Sequence, residues 1–224
     1  MPSGSDPLAR WRRRWEAAIA AAARHGQDDG TAWGPARLLV GTPASSRRLR
    51  SLERSLSSPL PDGLRRVLSL ASHFEASWHF DESVEPPREF RQLFAGTCRW
   101  DIDDVGRMHE TYREWVAKVF PDPTDAYHRI WHDRFPFLHV PNDDLVAISV
   151  DGSVVYLSHD DGEGHGYRLG TSVEDFLDRW TSLGCPGPED WQWLPFTTGR
   201  ESLLDPRGAS AARWKAWFGL EDEA

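Results

Sequence analysis

From Leu145 to His159 the chain reads Leu-Val-Ala-Ile-Ser-Val-Asp-Gly-Ser-Val-Val-Tyr-Leu-Ser-His, two apolar stretches around an Asp-Gly pair. No other segment restricts the fold as much. Runs this rich in β-branched residues need a sheet whose face is covered, and Asp151-Gly152 suits the two-residue turn of a hairpin. Pairing Val150 with Ser153 sets Ile148 opposite Val155 and Val146 opposite Leu157. One face is then continuously aliphatic, with Ala147 and Tyr156 on the other.

Helices able to cover such a sheet lie on both sides of it in sequence. Leu49, Leu52 and Leu56 mark one helical face, broken by Ser57-Ser58-Pro59. Leu60-Pro61-Asp62 then opens a second helix with Leu64, Val67, Leu68 and Ala71 at i, i+3, i+4, i+7. The segment beyond Phe74 reads as irregular, with a loop at Glu85-Pro86-Pro87 and a strand within Phe90 to Trp100. Val105, Met108, Tyr112, Trp115, Val116 and Val119 outline a longer helix stopped by Pro121 and Pro123. After a Gly-rich loop and a short strand at Tyr167 to Leu169, Thr171 to Glu174 reads as a capping box with Thr171 as N-cap. The helix behind it carries Val173, Phe176, Leu177 and Trp180. Trp191, Trp193 and Phe196 are expected to seal the core edge, ahead of a last short helix bearing Trp214 and Trp217.

The front of the chain is a helix opened by Asp6-Pro7, with Leu8, Trp11, Trp15, Ile19 and Ala22 on one stripe and Arg10, Arg13 and Arg14 opposite. Tryptophan at helical spacing points to docking on the chain's own domain and not to a membrane or DNA surface. Residues 26–35, with Gly26, Gly30, Gly34 and Pro35, read as a linker. The organisation expected is therefore a helix and linker over residues 1–35 and a main domain over residues 46–224.

Twelve Trp and ten Phe in 224 residues exclude general disorder. The longest apolar run, Ala17 to Ala23, is too short for a membrane span and poor as a signal-peptide core, so a cytoplasmic protein is expected. Cys98 and Cys185 are too few for a disulfide framework or a Cys-rich zinc site and read as core thiols. Residues 1–54 hold ten Arg against five acidic residues, whereas the remainder holds 16 basic against 30 acidic. An acidic body repels nucleic acid and membrane surfaces and steers basic proteins toward itself.

The densest polar cluster is His159-Asp160-Asp161-Gly162-Glu163-Gly164-His165-Gly166. It lacks the ligand spacing of an EF-hand. A zinc ion would need His159 and His165 to converge with Asp161 or Glu163. The same residue types also build a flexible polar hairpin loop, and that reading is preferred, with no metal or cofactor expected. His128 and His132 stand four apart without the glutamate of a metalloprotease helix, and with Asp133, Asp143 and Asp144 they read as surface charge. No nucleophile elbow, Walker loop or dinucleotide fingerprint occurs.

The order of elements resembles the SUKH superfamily. The resemblance rests on Leu49-Arg50-Ser51-Leu52-Glu53, Leu60-Pro61-Asp62-Gly63-Leu64-Arg65-Arg66-Val67-Leu68, Leu145 to Gly152, Val154-Val155-Tyr156-Leu157 and Ser172-Val173-Glu174-Asp175-Phe176-Leu177. It spans about residues 46–195; no single motif carries it, and the Arg-rich front helix and Trp-rich tail depart from it. The resemblance implies an α+β fold with one mixed or antiparallel sheet flanked by helices. It also implies binding instead of catalysis, since the family includes a fungal regulator of cell-wall synthesis and bacterial proteins similar to toxin-immunity proteins.

The function expected is therefore a protein-binding module, an immunity-type inhibitor whose acidic surface covers a basic toxin. Its contact residues are His159, Asp160, Asp161, Glu163, His165 and Tyr167. The alternatives are a regulatory scaffold for a host protein, or a metal-dependent enzyme using His159, Asp161 and His165 with Glu163 as base.

Overall fold

In the computed structural model, which describes residues 6–26 and 36–220, the hairpin forms one residue out of the expected register. Strand β5 (Leu145–Ser149) and strand β6 (Val154–Leu157) pair Leu145 with Leu157, Val146 with Tyr156, Ala147 with Val155 and Ile148 with Val154. The turn holds three residues and not two. Ser149 donates to the Ser153 carbonyl at 2.8 Å, and Gly152 stands at φ +85°, the left-handed position that ends a three-residue hairpin loop. Val150 is left 86% exposed at the tip.

The shift re-sorts the faces. Val146, Ile148, Val154 and Tyr156 enter the main core, while Leu145, Ala147, Val155 and Leu157 form a second cluster with Tyr112, Phe120 and Trp131. Both faces are covered, which is why both strands read as unbroken apolar runs.

The fold is α+β, and the single sheet expected is corrected to two antiparallel ones. The first sheet orders β1 (Arg37–Val40), β2 (His73–His79) and β3 (Ala95–Asp101). The second orders β4 (Arg134–His139), β5, β6 and β7 (Arg168–Gly170). β1 and β3 are the edges of the first sheet, and β4 and β7 those of the second. β4 carries Pro136, which has no N–H to donate, and a register shift between Pro136 and Leu138; both belong on an edge strand. β2 corrects the reading of an irregular segment beyond Phe74: Phe74, Ala76 and Trp78 alternate inward along it.

Helix α1 (Pro7–His25) is docked, as its Trp spacing predicts. Trp11 and Trp15 are each 1% exposed, the Arg10 guanidinium grips Asp178 at 2.7 and 2.8 Å, and the Trp11 indole donates to the same carboxylate at 2.8 Å. Asp178 lies on α6 (Val173–Ser182), whose N-cap is Ser172 and not Thr171. Ser172 Oγ accepts from the Asp175 amide at 3.1 Å, while the Asp175 carboxylate takes the Thr171 amide and hydroxyl. The remaining helices are α2 (Ser46–Leu56), α3 (Asp62–Leu70), α4 (Val105–Lys118), α5 (His128–Trp131), α7 (Asp190–Trp193) and α8 (Ala209–Phe218).

Helices α1 and α8 both close on this core. Trp214 and Phe218 of α8 pack against Trp78, and the His25 ring stacks on Trp217 at 4.4 Å. Of the linker expected over residues 26–35, residues 27–35 lie outside the described residues. Arg37–Val40, between the two expected segments, belongs to the first sheet. Cys98 and Cys185 are free and buried, and burial together with Cys98 pushes the Cys185 thiol well above its ordinary pKa. Among the described residues no helix is long and apolar enough to cross a membrane.

Candidate functional site

The loop leaving β6 runs back along the end of the second sheet, and its shape is fixed from within. Ser158 is its hub. The Ser158 carbonyl accepts from the Tyr127 hydroxyl at 2.6 Å and the Trp131 indole at 3.1 Å. Its hydroxyl accepts from the Gly162 amide at 3.0 Å and donates to Asp160 at 3.0 Å. Gly164 donates to the Asp190 carboxylate at 2.8 Å, and a Cβ at Gly164 would fall 2.5 Å from the Asp190 side chain. Asp161 stands at φ +65°, which Asp tolerates better than bulkier residues, and its amide donates to the Tyr127 hydroxyl at 3.0 Å. The loop expected from composition to be flexible is thus hydrogen-bonded internally at several points.

His165 turns inward. It is 1% exposed, its Nδ1 accepts from the Ser158 amide at 3.0 Å, and its Nε2 donates to the Tyr127 carbonyl at 3.1 Å. The imidazole stacks on the Tyr127 ring at 3.8 Å, and burial pushes its pKa below the ordinary histidine value. With both nitrogens engaged it offers no free lone pair. The zinc or catalytic set built from His159, Asp161 and His165 is therefore not assembled. Tyr167 is half-buried against Trp193, with ring centroids 5.7 Å apart, and is part of the scaffold.

The remaining four residues named from sequence share one surface. Asp160, Asp161 and Glu163 are exposed and His159 is half-buried. Three carboxylates thus project from a mount whose amides and hydroxyls are bonded internally. The His159 ring lies 5.1 Å from Trp115, itself half-buried, which places an apolar side chain beside the acidic group.

Sequence reasoning missed Asp144. Read as surface charge, it is 1% exposed and lies beneath His159. Its Oδ1 accepts from the His159 amide at 2.8 Å and lies 2.7 Å from His159 Nδ1; its Oδ2 accepts from the Tyr156 hydroxyl at 2.6 Å and from Asn142 at 2.9 Å. Burial, reinforced by the Asp144 charge, pushes the Tyr156 hydroxyl far above its ordinary pKa and keeps it a donor. The only available signal was an Asn-Asp-Asp turn before a strand, which does not say which aspartate faces in. His132 is also not free surface charge, since its Nε2 bonds to the Phe120 carbonyl at 2.9 Å.

A separate cleft of about 420 Å³ lies between β3, α4 and the second sheet. Trp100, Met108, Val146 and Trp180 line it. At its rim Arg99 and Arg107 both bond to Asp104, so their charges are partly spent.

No protein-family model matches the chain, and no curated protein matches it.

Proposed function

We propose that this chain is a protein-binding module that docks a basic partner on the loop from His159 to Glu163. The observation that carries the reading is the ordered mount: Asp160, Asp161 and Glu163 are exposed on a loop held by Ser158, Tyr127 and Asp190. Surface charges fixed in place raise encounter rates and reject wrong partners more than they add affinity. Trp115, beside His159, supplies an apolar contact of the type that anchors interfaces. The formal charge of −9 adds long-range attraction for a basic protein.

In its finer form the proposal is immunity-type inhibition, in which the carboxylates cover the Lys/Arg-lined site of a toxin. The sequence resemblance to the SUKH superfamily supports that form.

The test is affinity capture from lysate of the source cells at low and moderate salt, with retained proteins identified by mass spectrometry. An equimolar basic protein, retained at low salt and shed as salt rises, supports the proposal. If that protein has a toxic activity which the chain suppresses, the inhibitor form is supported; a basic partner with no such activity points instead to a regulatory scaffold. A partner whose retention ignores salt, or no specific partner, overturns the acidic-loop reading.

A further inference from the structure

We infer that Asp144, His159 and Asp160 form a binding site for one divalent first-row transition-metal ion, with zinc as its reference occupant. One ring nitrogen of His159 and one carboxylate oxygen from each aspartate lie within 4.8 Å of one another. Zinc holds such ligands at about 2.0–2.2 Å, so neighbouring ligands stand roughly 3.3–3.6 Å apart at tetrahedral angles. Asp160 is exposed at the loop surface, and its Oδ1 accepts from the Ser158 hydroxyl at 3.0 Å, so its other oxygen is the one left to turn toward an ion.

A second observation points to a cation. The Asp144 side chain is 2% exposed, and its bonded partners are the Tyr156 hydroxyl, the Asn142 amide, and the main chain and ring of His159. Among the described residues no Lys or Arg bonds to it. A buried carboxylate is costly unless it is paired and hydrogen-bonded; here the hydrogen bonds and the His159 ring, an ion-pair partner only when protonated, offset part of that cost, and a metal ion would offset it whichever form the ring takes.

The arrangement also has the outer support that metal sites use. Tyr156 and Asn142 fix Oδ2 of Asp144, leaving Oδ1 turned toward His159. Binding exchanges the contact between Oδ1 and the ring for bonds to the metal, with the ring proton on the nitrogen that does not ligate. Two carboxylates and an imidazole suit zinc, cobalt or manganese; calcium and magnesium prefer all-oxygen sets with more ligands. Three protein ligands leave room for water.

This inference rests on Asp144 and its neighbours and not on partner binding, so each stands or falls by its own experiment. The untagged full-length protein, stripped with chelator and dialysed, is titrated with zinc chloride by calorimetry, and with cobalt followed by its visible spectrum. One equivalent is expected to bind. His159→Gln and Asp160→Asn should each weaken binding at least about tenfold, the scale on which even supporting residues act. Asp161→Asn and Glu163→Gln, on the same loop, should leave it unchanged. Circular dichroism identifies any variant that fails to fold; Asp160→Asn alters an exposed side chain and keeps the test decisive. Absence of stoichiometric binding, equal binding by the two ligand variants, or calcium bound as tightly as zinc would each overturn the inference.

Discussion

Replacing His165 by alanine tests why the loop holds its shape, because the ring joins three parts of it. Its Nδ1 takes the Ser158 amide, its Nε2 bonds to the Tyr127 carbonyl, and its face stacks on the Tyr127 ring. Orphaning a buried amide costs about 1–3 kcal/mol, and losing the aromatic stack costs roughly 0.5–1.5 kcal/mol more. The expected loss is about 2–4 kcal/mol. For a domain of this size each kcal/mol lowers Tm by about 2–4 °C, which gives a fall of roughly 5–15 °C by calorimetry, the same with or without chelator. His165→Asn, whose Oδ1 stands near the place of Nδ1, should recover part of it.

The pH dependence follows with its sign. Burial holds the folded pKa of His165 below its ordinary 6.5, so on acidification the unfolded chain takes up this proton before the folded one does. Its contribution is present in full above that value and is lost as pH falls from there through the depressed folded value. His109, lowered by burial and by Arg113, acts in the same direction in both proteins. The fall in Tm between about pH 7.5 and 5.5 should therefore be shallower in His165→Asn than in the wild type. A Tm for His165→Ala within about 2 °C of wild type at neutral pH would refute the claim that the ring organises the loop.

Two further substitutions test the packing around it. Asp178→Ala removes the shared acceptor of Arg10 and the buried Trp11 indole and should cost about 1.5–3 kcal/mol in chemical denaturation; an unchanged midpoint would mean α1 is held by its apolar face alone. Gly96→Ala would place a Cβ 2.1 Å from Trp78 Nε1 and 2.5 Å from the Cys185 carbonyl, so a loss of about 3 kcal/mol or insoluble protein is expected, and wild-type stability would contradict the packing described.

What the sequence disclosed follows from where periodicity is strong. α3, α4 and α6 carry apolar residues at three- and four-residue spacing and lie close to where that spacing puts them. β2 is hidden because Ala76 and Ser77 dilute its alternation, and β4 because Pro136 argues against a strand unless the strand is an edge. The α6 cap slips by one because Thr171 and Ser172 are each followed, three residues on, by an acid, so two capping frames compete and local spacing cannot rank them. The hairpin slips for a related reason: Asp-Gly serves two-residue turns and three-residue turns with a left-handed Gly, and packing against Trp131 and Tyr112 is a tertiary fact.

The candidate site divides along the same line. Its exposed carboxylates are legible from composition. The inward turn of His165 and the burial of Asp144 depend on Tyr127 and Tyr156, distant in sequence from one or both, and no local pattern announces them.

The central claim is that Asp160, Asp161 and Glu163 dock a basic protein. Its most direct test is the captured partner titrated against wild type and against the Asp160→Asn/Asp161→Asn/Glu163→Gln triple variant, with Tm measured for both. Asn at 160 still accepts from the Ser158 hydroxyl and Asn at 161 tolerates the left-handed backbone, so the variant should stay folded, while association slows at least about tenfold at low salt and loses its salt dependence. A folded triple variant that binds as fast and as tightly as wild type would contradict the account.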